Sequence, residues 1–515
     1  VKPSTAQVYT APAPVGGWNA RDAFPVMAPT EAITLDNVFP ESNLCRVVGA
    51  GVETDSYTTS DGFIETFAQY LPNTGGYKAI VSDNTYFRIL NSAGEFEGST
   101  YTHSSGNRWE SVNFRGSIIL VNGSAAPKAW NGSAWSSPSY TGISDPTTLS
   151  HVDAYKSRLF FCQTQSLSIW YSASVNQISG VLTEYDISGI VRRGGYVLFA
   201  GSLTKDIGSG LSDIFVIVTN QGEVIFFSGD NPSASNWVIA GRAYIGIPMG
   251  KRAFCSYKSD LLIATTEGIF SCSDILQSGS SARALTDNIQ LAYNEVASAA
   301  SDYDGWELHY WPSGHMLVLN VPQNYPVSVH QYCMNTFTGA WCRIKGNNAS
   351  AFCLMGNDLF FASPQGSSNS IQQFDAGANP PDEIEIQGAF LPLGSASVIK
   401  QAKSIRAFWN GPRYFSYYLE CLADFESRRY SNLVRKAEAS STEWGDAWGS
   451  PWNLGERSIA NFTGVESRVG VFYSYKIKSR MAAATAAGQN PNDFVPAAGT
   501  TISAVSYIFE PGGIL

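Results

Sequence analysis

The 515-residue sequence predicts an all-β protein, a β-propeller joined to a second β-rich domain. Three observations carry that prediction. Charged residues make up only 15% of the chain, well under the usual quarter, so Ser, Thr, Asn and Gly must cover much of the surface. Aromatic residues reach 13% and glycines number 47, a composition of extended strands and tight turns. Finally, one layout recurs at intervals of about 30 to 60 residues between Tyr77 and Phe374: an apolar run, a polar turn, a second apolar run and a looser third strand.

The segments with this layout are "YKAIVSDNTYFRIL", "WESVNFRGSIILVNG", "LSHVDAYKSRLFFCQ", "DIFVIVTNQGEVIFFSG", "AFCSYKSDLLIATTEGIFSCS", "LHYWPSGHMLVLNV" and "SAFCLMGNDLFFAS". Each reads as two strands around a tight turn. Asn122-Gly123, Asn131-Gly132 and Gln221-Gly222 place glycine where positive φ is needed. A lone hairpin exposes an apolar face that it cannot bury, and repetition around a closed ring buries it while limiting free sheet edges. Stacked sandwiches or a solenoid are the alternatives. Uneven spacing counts against a regular solenoid, and the hairpins suit an irregular propeller of roughly five to seven blades. The propeller is expected over residues 66–375, after an N-terminal arm and strands at 1–65.

Ala376 to Pro381 reads as a linker, and residues 376–515 are expected to form a β-rich platform or sandwich together with the arm. In "EIEIQGAFLPLG" strict alternation puts Glu383 and Glu385 on one strand face and Ile384 and Ile386 on the other. Two readings of the acidic pair stand: a channel-lining or cation-holding face, and an ordinary solvated one. Trp444, Trp448 and Trp452 in "TEWGDAWGSPWNLGE" have helical spacing, but the interleaved glycines and proline favour a loop or hairpin pinned by aromatic packing. The last stretch, Phe472 to Tyr507, alternates strand-like runs with the loop "MAAATAAGQNPNDFVPAAG".

The net charge of −10 and pI near 5.1 argue against sequence-reading nucleic-acid binding, but do not exclude a surface that lets DNA pass. The first 100 residues hold five Lys or Arg against eleven Asp or Glu. No stretch approaches the roughly 18 apolar residues of a membrane span, and no secretory leader pattern opens the chain, so neither a membrane protein nor a secretory precursor is expected.

Eight cysteines (Cys45, Cys162, Cys255, Cys272, Cys333, Cys342, Cys353, Cys421) show no C-x-x-C and read as buried free thiols. His330, Cys333 and Cys342 lie close together in "HQYCMNTFTGAWC", but a fourth metal ligand is missing. The segment reads better as a hairpin turning at Thr338-Gly339, with Cys333–Cys342 pairing across it as a minor alternative. Five histidines accompany no G-x-S-x-G, and "GIPMGKR" at Gly250-Lys251 is too short for a phosphate loop. "SDYDGW", Ser301 to Trp306, has the wrong spacing for the repeated turn of sialidase-type propellers and occurs once. No catalytic residue, cofactor or metal site is expected. Paired-carboxylate glycoside hydrolysis is the enzyme alternative. Trp130 and Trp135 in "AWNGSAW" suit either sugar stacking or hairpin packing.

The opening run from Gly16 to Pro40 carries Gly16, Gly17, Trp18, Asn19, Arg21, Asp22, Met27, Pro29, Glu31, Ala32, Leu35, Asn37, Phe39 and Pro40. This pattern resembles the N-terminal signature of the tail tube or nozzle proteins of short-tailed (podovirus-type) bacteriophages, with Ala28 where a second proline is common. The resemblance extends to "FVIVTNQGEVIFFSGDNPSASNWVIAGRAYIGIPMGKRAF", "NTFTGAWCRI" and "WGDAWGSPW". It implies a propeller-containing structural protein of the virion tail. In that family six copies form a ring below the head-to-tail adaptor, enclose the DNA exit channel and dock fibres or spikes, a role that makes no bond and needs no cofactor.

An assembly role is therefore expected for Gly17, Trp18, Asn19, Arg21, Asp22, Asn37, Phe39 and Pro40. Arg21 and Asp22 are expected to tie the arm to the second β domain, with Trp18, Phe24, Leu35 and Phe39 buried as anchors. The plainer reading is an N-terminal loop packed on its own domain. The acidic balance suits a conduit, so at least one ring of carboxylates should face the channel, with Glu383 and Glu385 as candidates. The rival function is a carbohydrate-binding or glycan-cleaving propeller at a host surface.

Overall fold

Seven inner strands stand side by side in a closed ring; five of them open a repeated hairpin, and in the first and fourth blades the inner strand precedes the hairpin. In order the seven are Thr66–Tyr70, Glu110–Phe114, Leu149–Tyr155, Val197–Asp206, Phe254–Tyr257, Glu307–Trp311 and Ala351–Met355, and the last neighbours the first. Each pairs antiparallel with the strand that follows it. This is a β-propeller of seven blades, seen here in a computed structural model that describes residues 5–58, 62–103, 108–206, 211–366, 368–411, 415–425, 432–435, 462–479 and 496–514.

Alternation along the strands supplies the cores between blades. Phe114 and Ile119 of the second blade pack with Leu149, Val152 and Phe161 of the third. From the third blade's other face, Phe160 and Ile169 meet Phe215, Ile217 and Phe227 of the fourth. Each such side chain contributes roughly 1.5–3 kcal/mol on burial, so a blade is held mainly by its two neighbours.

The blades are irregular. The fifth has three strands, Phe254–Tyr257, Asp260–Thr265 and Gly268–Ser271, followed by a helix at Cys272–Ser278. That helix starts where the Ser271 hydroxyl accepts from the Asp274 amide. A second helix, Gln290–Ala300, is rich in alanine. The seventh blade takes Val52–Thr58 as its outer strand, beside Ser368–Gln373. Thr54 of that strand donates to the Gly94 carbonyl (2.9 Å) and Asp55 accepts from the Phe96 amide (2.9 Å), which binds the last blade to the first.

The expected Asn-Gly and Gln-Gly turns hold glycine at φ of 80° (Gly123), 94° (Gly132) and 72° (Gly222). The third blade turns differently, through Lys156 and Ser157 at φ of 45° and 60°.

The second unit comprises residues 1–52, 330–347 and 375–515, leaving 53–329 and 348–374 to the propeller. These boundaries differ from the expected 1–65, 66–375 and 376–515 for two reasons: the strand after Val52 completes a blade, and Trp341–Lys345 joins Glu31–Asp36 through a parallel Asp36–Arg343 bridge. One sheet of this unit runs Thr463–Gly470, Val398–Asn410, Thr501–Ile514, Cys45–Val47, Val38–Pro40, with Gln7–Pro12 also paired to Thr501–Ile514. The other carries Trp341–Lys345, Glu31–Asp36, Glu385–Gly388, Tyr473–Lys478 and Ser416–Ala423 in that order. Tyr507 of the first sheet shares a buried core with Cys421 and Tyr475 of the second.

Positive φ costs an L-residue about 1–2 kcal/mol, against roughly 0.5–1 kcal/mol for glycine's extra freedom in the unfolded chain. Ser157→Gly should therefore stabilise the protein by about 0.5 kcal/mol, read from the midpoint of urea unfolding.

Candidate functional site

Charge gathers at the end of the propeller axis where the inner strands begin. Arg252 stands two residues before the fifth inner strand, and its guanidinium reaches three other segments. It donates to Glu110 (3.0 Å), Glu307 (2.9 Å), the Thr66 hydroxyl (3.3 Å) and the Trp109 carbonyl (2.7 Å), and also to the Glu65 carbonyl. Glu307, 1% exposed, takes a second guanidinium from Arg108 (2.9 Å). Its other oxygen accepts from the Phe352 amide (3.0 Å) and meets His309 Nε2 (3.3 Å). Five of the seven blades thus meet at one arginine and one carboxylate.

Burial pushes the Glu307 carboxyl up, but His309, Arg252 and Arg108 outweigh it and bring it down to about 2. It stays ionised and cannot donate a proton near neutral pH. Glu110, Arg252, Glu307 and His309 line a cavity of about 170 Å³. Two further groups sit on the third inner strand: burial pulls His151 down to about 4 and raises Asp153 to about 7. One Asp153 oxygen is buried without a hydrogen-bond partner.

In the second unit the arm motif is placed, residue by residue, in a framework. Gly17 has φ 82°, and a Cβ there would lie 2.6 Å from the Trp341 amide nitrogen and 2.7 Å from its carbonyl oxygen. Trp18, 6% exposed, sits edge-on to Tyr332 (5.3 Å) and under the Arg343 guanidinium (5.1 Å). The Asn19 carbonyl oxygen accepts from the Arg21 and Asp22 amides (2.9 and 3.0 Å), while its NH₂ donates to Asp22 and Glu31 (both 2.9 Å).

Arg21 and Asp22 pair with each other at 2.8 Å. Adjacent residues in a turn find each other without crossing to another strand, and Arg21, then Asn19, holds the Asp22 carboxyl down at about 2. Leu35 and Phe39 are buried as expected. Phe24 is not: it is 44% exposed in the one-turn segment Phe24–Val26, resting on Phe390 and Phe425.

Asp36 and Asn37 bond the arm to strands distant in sequence. Asp36 accepts from Arg343 twice (2.8 and 3.0 Å) and pairs with Lys345 (2.5 Å). Asn37, fully buried at φ 59°, receives the Lys345 amide (2.8 Å), donates its NH₂ to the Glu383 carbonyl (2.9 Å) and its own amide to the Arg343 carbonyl (2.8 Å). Pro40 accepts from Asn335 (2.9 Å) through its carbonyl.

The acidic strand alternates as expected, with Ile384 and Ile386 buried and Glu383 and Glu385 on the other face. Across the sheet this yields two rows. Leu35, Ile386, Ile477 and Leu419 form the apolar one. Arg343, Asp36, Glu385, Lys478 and Tyr418 form the other. Glu385 is therefore no bare carboxylate, since Lys476 (2.7 Å) and Lys478 (2.8 Å) clasp it. Burial raises its carboxyl, and the two lysines overcome that and hold it below its ordinary value. Around Glu385 the row is one of mixed charge, because the partner strand Tyr473–Lys478 sets Lys478 opposite it and Lys476 two residues away.

His330 and the two cysteines do not share a site. Cys333 and Cys342 are directly opposed in the expected hairpin and remain free thiols, while His330 lies on the other strand face beside Arg343 and Lys345. Among the described residues no group of three or more His, Cys, Asp or Glu is arranged to hold a metal ion, and no helix is long and apolar enough to cross a membrane. Trp130 is buried against Tyr70 (4.7 Å) and Trp135 stacks on Phe87 (4.7 Å) and Tyr101 (5.0 Å), so both pack the second blade against the first. Trp444, Trp448 and Trp452 lie outside the described residues, as does most of "MAAATAAGQNPNDFVPAAG".

Sequence reasoning missed Arg108, Glu110, Arg252 and Glu307. The signal was present: "RWES", "KRAF" and "WELH" put a charge where an otherwise apolar inner strand begins.

No protein-family model matches the chain, and no curated protein matches it. Solved structures resemble it at low similarity. One is BBS1N in its complex with ARL6DN, with 9% identity and a TM-score of 0.37 over 64% of this chain and 98% of that one. Chaetomium thermophilum Raptor has 10% identity and a TM-score of 0.41 over 64% of this chain and 29% of that one. A quinonprotein alcohol dehydrogenase-like protein from Bacteroides thetaiotaomicron has 10% identity and a TM-score of 0.34 over 60% and 68%. The class of protein is thus an all-β propeller protein, by its own strand order.

Removing one partner of a buried ion pair costs about 3–5 kcal/mol. Glu307→Gln leaves Arg252 and Arg108 facing a neutral amide and should cost that much, measured by chemical denaturation at pH 7. Asp153 responds to pH with the opposite sign from a salt-bridged acid. Its folded pKa of about 7 exceeds the ordinary 3.8, so the folded state holds its proton longer and stability is lost as pH rises between those values. Asp153→Asn should match the parent near pH 4 and be more stable at pH 8 in parallel urea titrations.

Proposed function

We propose that the chain is a structural subunit of a short-tailed bacteriophage tail, a nozzle or tail tube protein. The reading rests on the N-terminal signature, and the observation that supports it is how the signature residues are used. Trp18, Asn19, Asn37, Phe39 and Pro40 are spent on burial and backbone hydrogen bonds that fix a non-repeating arm against a sheet. Arg252 and Glu307 are likewise engaged with other blades. Side chains bound in this way serve a scaffold. The proposed role is non-enzymatic, needs no cofactor, and places about six copies in a ring below the head-to-tail adaptor. That ring would surround the DNA exit path and offer docking surfaces to fibres or spikes.

The test is the mass of the purified protein by light scattering, alone and mixed with the adaptor ring of its phage. A closed ring, formed outright or on the adaptor, is expected. Asp36→Ala, which strips Arg343 and Lys345 of their carboxylate, should reduce ring formation. A chain that stays monomeric with every tail component would overturn the proposal, and a glycan-binding and reducing-end release assay would then decide the carbohydrate alternative.

A further inference from the structure

The fourth blade buries a charge that neither the axial cluster nor the arm explains. Glu223, 0% exposed, begins the strand Glu223–Ser228. One of its oxygens accepts from two consecutive backbone amides, Arg192 and Arg193, both at 2.9 Å. Burying a carboxylate is costly unless it is hydrogen-bonded and charge-compensated. Here the compensation is Arg242, 3.4 Å from the other oxygen, which also donates to the Ile190 carbonyl (2.7 Å). The far end of the same loop is fixed by Asn220, whose side chain accepts from the Tyr196 amide (2.8 Å) and whose amide donates to the Tyr196 carbonyl (3.0 Å).

The segment from Ile190 to Tyr196 is therefore held at both ends and in the middle, and what it presents to solvent is the side chains of Arg192 and Arg193. The Arg193 guanidinium lies 4.2 Å from the centre of the Tyr244 ring, a contact that helps orient a side chain otherwise exposed to solvent.

We propose that Arg192 and Arg193, with Tyr244, form a preorganised docking surface for a carboxylate-bearing protein segment, with Glu223 as the residue that positions it. Guanidinium forks match carboxylates two bonds at a time. Phosphate would fit the arginines as well, but the tyrosine ring under Arg193 suits a polypeptide, since arginine and tyrosine concentrate at the centres of protein interfaces. Ordering the loop in advance removes part of the entropy cost of binding. This inference does not depend on the nozzle reading, because it concerns the isolated chain.

The test is titration of the full-length protein with a fluorescent poly-glutamate peptide at low ionic strength, with inorganic polyphosphate titrated in parallel. Saturable binding is expected, weakening with salt and falling about tenfold or more in the Arg192→Ala/Arg193→Ala double variant. Arg115→Ala, which removes an exposed base elsewhere on the propeller, should leave it unchanged. Glu223→Gln keeps both arginines but loosens the loop, and should weaken binding while circular dichroism stays that of the parent. If that variant does not fold, Tyr244→Leu replaces it, with the same expectation. Poly-glutamate binding that is absent, or indifferent to the arginine pair, overturns the proposal. Arginine-dependent binding of polyphosphate alone also overturns it, in favour of a phosphate site.

Discussion

The propeller depends on the meeting of Arg252 with Glu307. An inner strand is paired on one edge only, so the axis of the ring is lined with polar backbone and cannot be closed by apolar packing. A guanidinium supplies five donors in a plane, and here they are distributed over Glu65, Thr66, Trp109, Glu110 and Glu307. Glu307 passes the connection on to Phe352 and Arg108. The apolar cores between neighbouring blades act pairwise, whereas this contact couples blades that share no core. A buried pair with so many partners favours one arrangement of the blades over its competitors, which is a separate matter from how much stability it adds.

The second unit solves a related problem by a one-residue offset. Its central sheet sets an apolar row beside a charged row on opposite faces, so a slip of one residue would put Asp36 and Glu385 into the core. Register is thus specified strongly. The two carboxylates face each other across the strands and are tolerated because Arg343 and Lys345 stand on one side and Lys476 and Lys478 on the other. Neither this row nor the axial cluster is strongly acidic, so the chain's net charge of −10 is carried largely by other positions.

Much of the fold was legible in the sequence because its signals are local. Alternation and turn chemistry located the seven hairpins, and the alternating strand around Glu385 was read with its faces the right way round. The helices at Cys272–Ser278 and Gln290–Ala300 were missed because short helices that fill gaps beside a sheet break no pattern. The pairing of Glu385 with Lys476 and Lys478 joins segments far apart in the chain, as does the clasp of Asp36 by Arg343, and neither register can be read before the strands are placed.

The strand Val52–Thr58 gives the chain a particular order of events during folding. It emerges early in synthesis, yet its sheet partners in the seventh blade come from the far end of the propeller sequence. Until they arrive it is an exposed strand edge waiting for a distant match, and the first and last blades cannot lock together. Long-range pairings of this kind are slow to form and leave intermediates prone to mispairing. A ribosome pausing before the seventh hairpin would hold a nascent chain with its early blades formed and its ring still open.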